Sequence, residues 1–152
     1  MRFPPREAGR KVDNIMIGDY IIINCDQIPK GTAQMKRYNG RTRTYFKSQR
    51  LQQTEDFYLS ELRSYAPTSP ITGAVSLSID FDYFTPTKKK RGTWKTTRPD
   101  VDNIAKLLID CMTKLGFWVD DSQVARLRVS KHYAEGDNAQ IIISWREAVD
   151  DD

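Results

Sequence analysis

The sequence predicts an α+β domain, a mixed sheet packed against two helices. Three observations predict it. Gly73 to Phe84 alternates, with Val75, Leu77, Ile79, Phe81 and Tyr83 on one face, as a half-buried strand does. Asp102 to Leu115 places Ile104, Leu107, Leu108, Cys111, Met112 and Leu115 on one continuous helical stripe. Strand-like and helix-like segments follow one another in the order β-α-β-α-β-β. The chain of 152 residues is long enough for one core of its own.

In chain order, residues 1–18 are polar and Pro/Gly-bearing and read as a loose arm. Tyr20-Ile21-Ile22-Ile23 is a β-branched run, hence a buried strand within 19–28. Residues 29–44 read as a long basic loop with Gly31 and Asn39-Gly40 as turn signals. Ser48 to Tyr65 reads as a helix on the stripe Leu51, Phe57 or Tyr58, Leu59 and Leu62, stopped by Pro67. Thr85 to Thr97 is a second basic loop, and Gly116 ends the second helix. Val124 to Tyr133 reads as a strand with Leu127, Val129 and Tyr133 inward and Arg126, Arg128, Ser130 and His132 outward. The turn Glu135-Gly136-Asp137-Asn138 then leads to a last strand, Ala139 to Trp145, which predicts a closing hairpin. The expected organisation is an arm (1–18), one domain (19–146) and an acidic tail (147–152).

Composition narrows the function classes. No apolar run approaches the ~18 residues of a membrane span, and Met1-Arg2-Phe3-Pro4-Pro5-Arg6 is followed by charge, unlike a signal peptide. Cys25 and Cys111 sit in apolar segments and read as buried free thiols of a cytoplasmic protein. With a single histidine and no Cys/His cluster, a zinc site is not expected. The net charge is +4, but the last six residues hold four acids and no base. The remainder sets 24 bases against 16 acids. Two windows are free of acid altogether: Pro29 to Arg50 (Lys30, Lys36, Arg37, Arg41, Arg43, Lys47, Arg50) and Phe84 to Arg98 (Lys88, Lys89, Lys90, Arg91, Lys95, Arg98). Tyr38, Tyr45, Phe46 and Trp94 are interleaved with them. Such windows suit a polyanion, since each neutralised phosphate releases counterions. Arg41, Arg43, Lys47, Lys88, Lys89, Lys90, Arg91, Lys95 and Arg98 are the candidate DNA contacts, a solvated basic surface being the structural alternative.

The chemistry lies in Arg98-Pro99-Asp100-Val101-Asp102-Asn103-Ile104-Ala105-Lys106. Pro99 suits a helix entrance, so Asp100 and Asp102 fall at or just before the first turn, where two carboxylates can converge on one cation. Lys106 follows Asp102 by four residues on the same face. Asp120-Asp121 can bring a third carboxylate from the start of the next strand. Three hard oxygen ligands and a lysine match what Mg²⁺-assisted phosphodiester hydrolysis needs. Each piece has a structural alternative: a helix cap, an exposed ion pair, or a turn before a strand.

The segment RPDVDNIAKLLIDCMTKLGFWVDDSQVARLRVSKHY, residues 98–133, resembles the signature of the RusA family of Holliday junction resolvases. That pattern is a basic residue and Pro-Asp-x-Asp-Asn, a lysine four residues after the second aspartate, and Asp-Asp-x-Gln about twenty residues on. Asp100, Asp102, Asn103, Lys106, Asp120, Asp121 and Gln123 stand in those places. The likeness is looser from Tyr20 onward and does not extend to residues 1–18 or the tail. It implies a small homodimeric endonuclease that binds branched DNA and makes paired nicks with Mg²⁺, in recombination and repair. It further implies that Asp100, Asp102, Lys106 and Asp121 are catalytic, with the three aspartates holding the metal, and it suggests a phage or prophage origin. A C₂ dimer would match the two-fold symmetry of a four-way junction, with Ile141-Ile142-Ile143 and Phe117-Trp118-Val119 serving as interface or as core. On the residues alone, two other classes stay open: a nucleic-acid-binding module without catalysis, and a basic scaffold or interaction protein.

Overall fold

The structure, a computed structural model, describes residues 20–32 and 36–149; the expected arm over 1–18 and the end of the acidic tail lie outside them. The elements are β1 (Tyr20–Cys25), β2 (Lys36–Asn39), β3 (Thr44–Lys47), α1 (Gln49–Leu62), β4 (Val75–Tyr83), α2 (Val101–Lys114), β5 (Val124–Tyr133) and β6 (Ala139–Glu147). Four strands form one mixed sheet in the order β1-β6-β4-β5, in which β4 and β5 are parallel and the other pairs antiparallel. The expected fold class holds.

The front of the sheet carries Ile21 and Ile23 of β1, Ile141, Ile143 and Trp145 of β6, and Val75, Leu77, Ile79 and Phe81 of β4. These join Leu51, Tyr58 and Leu62 of α1 and Ile104, Leu108, Cys111 and Met112 of α2 in a single buried core. Each large apolar side chain removed from water there contributes about 1.5–3 kcal/mol. Ser48 starts α1 by accepting a hydrogen bond from the Leu51 amide at 3.1 Å. No described helix is long and apolar enough to cross a membrane.

Four expectations are corrected. The last two strands form no hairpin: β6 lies between β1 and β4, and β4 separates it from β5. Ile141-Ile142-Ile143, apolar on both faces, fits this interior place, and all three are buried, as are Phe117 and Trp118. These five side chains are core within one chain, while Val119 is exposed. The first basic loop contains the β2–β3 hairpin, turning at Gly40 to Arg43. The second is no free loop either: Gly92 to Lys95 runs beside β5, with hydrogen bonds between Gly92 and Tyr133, Thr93 and Tyr133, and Lys95 and Lys131.

The back of the sheet also departs from expectation. Alternation placed Ser130 and His132 outward, yet both are buried, as are Asp80 and Asp82 opposite them on β4, the two aspartates 0% exposed. Asp80 accepts from Ser130 and, at 3.4 and 3.5 Å, from Arg128; Asp82 accepts from Gln140 at 2.9 Å, with His132 Nδ1 3.9 Å away. The Trp94 ring stacks on His132 with centroids 4.1 Å apart. The pairing register puts Ser130 directly across from Asp80, and His132 and Gln140 directly across from Asp82, while Arg128 reaches Asp80 from two residues along β5.

Candidate active site

Two local structures position the carboxylates. The first is the head of α2. Asp100 is its N-cap, and its carbonyl accepts from the Asn103 and Ile104 amides at 3.1 and 3.2 Å, while its carboxylate makes no capping hydrogen bond. Lys131, inward on β5, donates from Nζ to the Thr97 and Pro99 carbonyls at 2.7 and 2.6 Å and so fastens the approach to Asp100. Burial lowers the Lys131 pKa and Lys95 lowers it further, with Asp100 pulling the other way. Asp102 and Lys106 follow on one exposed face of the helix, a turn apart. The helix dipole adds partial positive charge at this end.

The second is the turn after α2. Gly116, at φ +85°, ends the helix, and Phe117 and Trp118 drop into the core. Asp120 and Gln123 form a capping box; Gln123 also donates to the carbonyls of Ile71 and Gly73, at 2.8 and 2.9 Å, tying the lead into β4 to this turn. The carboxylate of Asp120 is occupied by the Ser122 amide, which lowers its pKa. Asp121 turns instead toward α2, where it bonds Thr113 and Asp110, and the Trp118 indole donates to the same Thr113 hydroxyl at 2.7 Å. Burial, and then the hydrogen bond and charge of Asp121, push the Asp110 carboxyl up to about 6, against the pull of Lys106 and Lys114.

Asp102, Lys106 and Asp110 therefore form one line along α2, but the expected three-carboxylate cluster is not assembled. Asp121 meets the helix beside Asp110, about 12 Å along the axis from Asp102 at 1.5 Å per residue. Among the described residues no group of three His, Cys, Asp or Glu is close enough for one ion. The donors present, carboxylates beside a lysine, still suit a hard divalent cation, which commonly takes one or two carboxylates and completes its shell with water and phosphate.

A pocket of about 770 Å³ opens at the head of α2, lined by Arg98, Asp100 and Asn103 together with Lys30 and Lys95. Lys95 Nζ lies 5.0 Å from the Tyr83 ring centroid and 5.4 Å from that of Tyr133. The other candidate DNA contacts divide by their bonds. Arg41 and Arg43 are exposed at the tip of the β2–β3 hairpin, whose strands carry the exposed pair Tyr38 and Tyr45, their rings in tilted contact. Lys88, Lys89, Lys90 and Arg98 are exposed. Lys47 is instead paired to Glu55 at 2.5 Å and Arg91 to Asp137 at 2.9 Å. Sequence reasoning passed over Lys131 and Asp110. The first was legible as a charge in the inward register of an apolar strand face, the second as the next i+4 step after Lys106.

The family model described as Endodeoxyribonuclease RusA matches residues 26–144, and the chain belongs to that family. A crossover junction endodeoxyribonuclease of Lactococcus phage r1t is 43% identical over 70 residues, which cover 46% of this chain and 53% of that protein. YqaN of Bacillus subtilis, an uncharacterized protein, is 37% identical over 90 residues, 52% and 63% of the two chains. The crossover junction endodeoxyribonuclease RusA of Escherichia coli K12 is 53% identical over 34 residues, 22% and 28% of the two. These matches span between about a quarter and two thirds of the relatives' lengths.

Proposed function

We propose that this protein is a Mg²⁺-dependent endonuclease that resolves four-way DNA junctions, acting as a homodimer in recombination and repair in the cytoplasm of a bacterial or phage-infected cell. The observation that carries the reading is the head of α2, where Asp100, Asp102 and Lys106 stand exposed beside a cation-lined pocket and Asp100 spends no side-chain bond on capping. A purely structural aspartate at an N-cap would bond the first turn; this one does not, which disfavours a binding module without catalysis. Membership of the family supports the same reading.

Asp100 and Asp102 would hold the cation, with Asp121, backed by Asp110, as a second carboxylate seat on the same helix face. The cation, when bound, polarises the scissile phosphate and favours ionisation of the attacking water. Lys106 lies between the two seats and stabilises charge that grows on the phosphate oxygens. Lys131 holds the Thr97–Pro99 backbone, and with it Asp100, in place. Arg98, Lys95 and the exposed Arg41 and Arg43 attract the flanking backbone. One carboxylate line per chain calls for two chains to make two opposed nicks, which is the reason for a C₂ dimer.

The test is incubation with an end-labelled synthetic four-way junction and a linear duplex of the same sequence, in Mg²⁺ or in EDTA. Nicks at two symmetry-related strands of the junction, in Mg²⁺ alone, are expected. Intact junction under both conditions overturns the reading.

A further inference from the structure

We propose that the pocket at the head of α2 receives a single unpaired nucleobase from the strand being cut, and that this base selects the bond. The inference rests on the nuclease reading above and extends it to the choice of bond.

The pocket joins two kinds of surface. Its apolar side is made by Ile28 and Pro29, which follow β1, and by Tyr83 and Phe84 at the end of β4. Phe84 is 40% exposed, a ring with an open surface. Its polar side carries the cations Lys30, Lys95 and Arg98 and the carboxamide of Asn103. A ligand that matches both has a flat apolar face, hydrogen-bonding edges and an attached anion, and a nucleotide has all three. At about 770 Å³ the space falls within the 300–1,000 Å³ typical of pockets that enclose a small organic ligand.

The surroundings identify the nucleotide as part of a strand. Asp100 lies in the pocket wall and is one of the residues assigned to the cation, so a base held here adjoins the phosphate under attack. Lys95 and Arg98 of the lining belong to an acid-free segment whose Lys88, Lys89 and Lys90 are exposed and available to further phosphates. Bases at the crossover of a four-way junction have lost a stacking neighbour, so turning one out costs less there than inside a duplex. Stacking on an aromatic ring accepts any base, while the amide edges can favour one. A base that must leave the stack to fill the pocket also explains why a helix head built to bind phosphate would spare intact duplex.

The cleaved bond is first mapped with the wild-type protein in Mg²⁺. Single abasic sites are then placed at each of the two nucleotides on either side of it, and junction affinity is measured in EDTA. For the wild type, one of these positions is expected to weaken binding about 5- to 10-fold, the others less than twofold. Phe84→Ala is expected to weaken binding of the intact junction by a similar factor and to be indifferent to the abasic site, because the two changes remove one contact. Phe84→Tyr should restore the sensitivity. The ring is partly exposed, so a thermal melt is expected to show the variant folded. If every abasic position changes affinity less than twofold, or if the losses from Phe84→Ala and the abasic site multiply, the pocket holds no base and the inference falls while the nuclease reading stands. If the wild type neither binds nor cuts the intact junction, the nuclease reading itself falls.

Discussion

Asp80-Phe81-Asp82 and Asp100-Val101-Asp102 are the same three-residue pattern, and the fold uses them in opposite ways. The first lies in β4, where period two turns both aspartates to the back of the sheet, and both are 0% exposed. Asp80 accepts from Ser130 and Arg128, and Asp82 from Gln140, with Ser130 and Gln140 placed opposite them by strand register. The second begins α2, where both aspartates are exposed and the Asp100 carboxylate is not used as a cap. A carboxylate whose bonds are consumed by the fold is structural, because removing its charge strands its buried partners. A carboxylate that folding leaves accessible, next to cations and a pocket, is available to a ligand. Spacing is identical in the two cases; the destination of the hydrogen bonds tells them apart.

The largest expected effect separates the two pairs on the active side. Asp102→Asn should reduce junction cleavage about a thousandfold or more, the scale of several kcal/mol of metal-assisted charge stabilisation. Its unfolding free energy should stay within about 0.5 kcal/mol of wild type, as for an exposed residue. Junction binding without metal should be unchanged or tighter, since a negative charge facing phosphate has gone. Nicking assays beside urea melts check all three. Wild-type nicking by this variant would remove Asp102 from the proposed metal seat. Lys106→Ala comes next, with a rate loss of about a hundredfold to a thousandfold and little change in affinity. An equal loss in binding and rate would make Lys106 an ordinary phosphate contact.

On the structural side, Asp80→Ala should destabilise the fold by about 2–3 kcal/mol. Breaking a fully buried pair costs about 3–5 kcal/mol, and the partly exposed Arg128 recovers some solvation. The folded fraction should cut junctions at the wild-type rate, since the side chain lies on the face away from α2. Urea unfolding and specific activity at low temperature measure the two quantities. A stable but inactive Asp80→Ala protein would erase the distinction between the pairs.

What could be read in advance follows the same division between local and non-local structure. The α2 stripe, the Ser48 start of α1 and the carboxylates at the head of α2 depend on residues within a few positions of one another, and all were legible. The place of β6 was not. A four-residue turn between two strands suggests a hairpin, but the Ile141-Ile142-Ile143 run, apolar on both faces, belongs in the sheet interior, where long-range pairing with β1 and β4 places it. The burial of Asp80 and His132 was hidden for the same reason, since each partner sits about 50 residues away. The site was legible as a set of residues but not as an assembly. Asp121 was readable as a carboxylate returning to α2. That it returns to Asp110 and Thr113 depends on where Gly116 ends the helix and on the anchoring of Trp118 and Gln123.

Glu55 is the intermediate case and carries the smallest expected effect. It lies on α1 with only 4% of its side chain exposed, bonded to Lys114 at the end of α2 and to Lys47 of β3, so one carboxylate links three elements. Both lysines are about half exposed and remain solvated if the acid is lost, which keeps the cost low. Burial pushes the Glu55 pKa up, but the hydrogen bonds and charges of the two lysines outweigh it, and the carboxyl ends below its ordinary value of 4.5. A pKa depressed by folding adds stability that is present above the unfolded value and is lost as pH falls through the folded one. Glu55→Gln should therefore cost about 1 kcal/mol at pH 7, near the net worth of a hydrogen-bonded pair. The gap from wild type should close as pH drops below about 4.5. Urea melts of both proteins at pH 7, 5 and 3.5 measure it. A gap that persists undiminished at pH 3.5 would mean that the glutamine disturbs the packing of α1 on α2, with the charge contributing nothing; a closing gap identifies the carboxylate as the link between the helix that carries the site and the hairpin that carries Arg41 and Arg43.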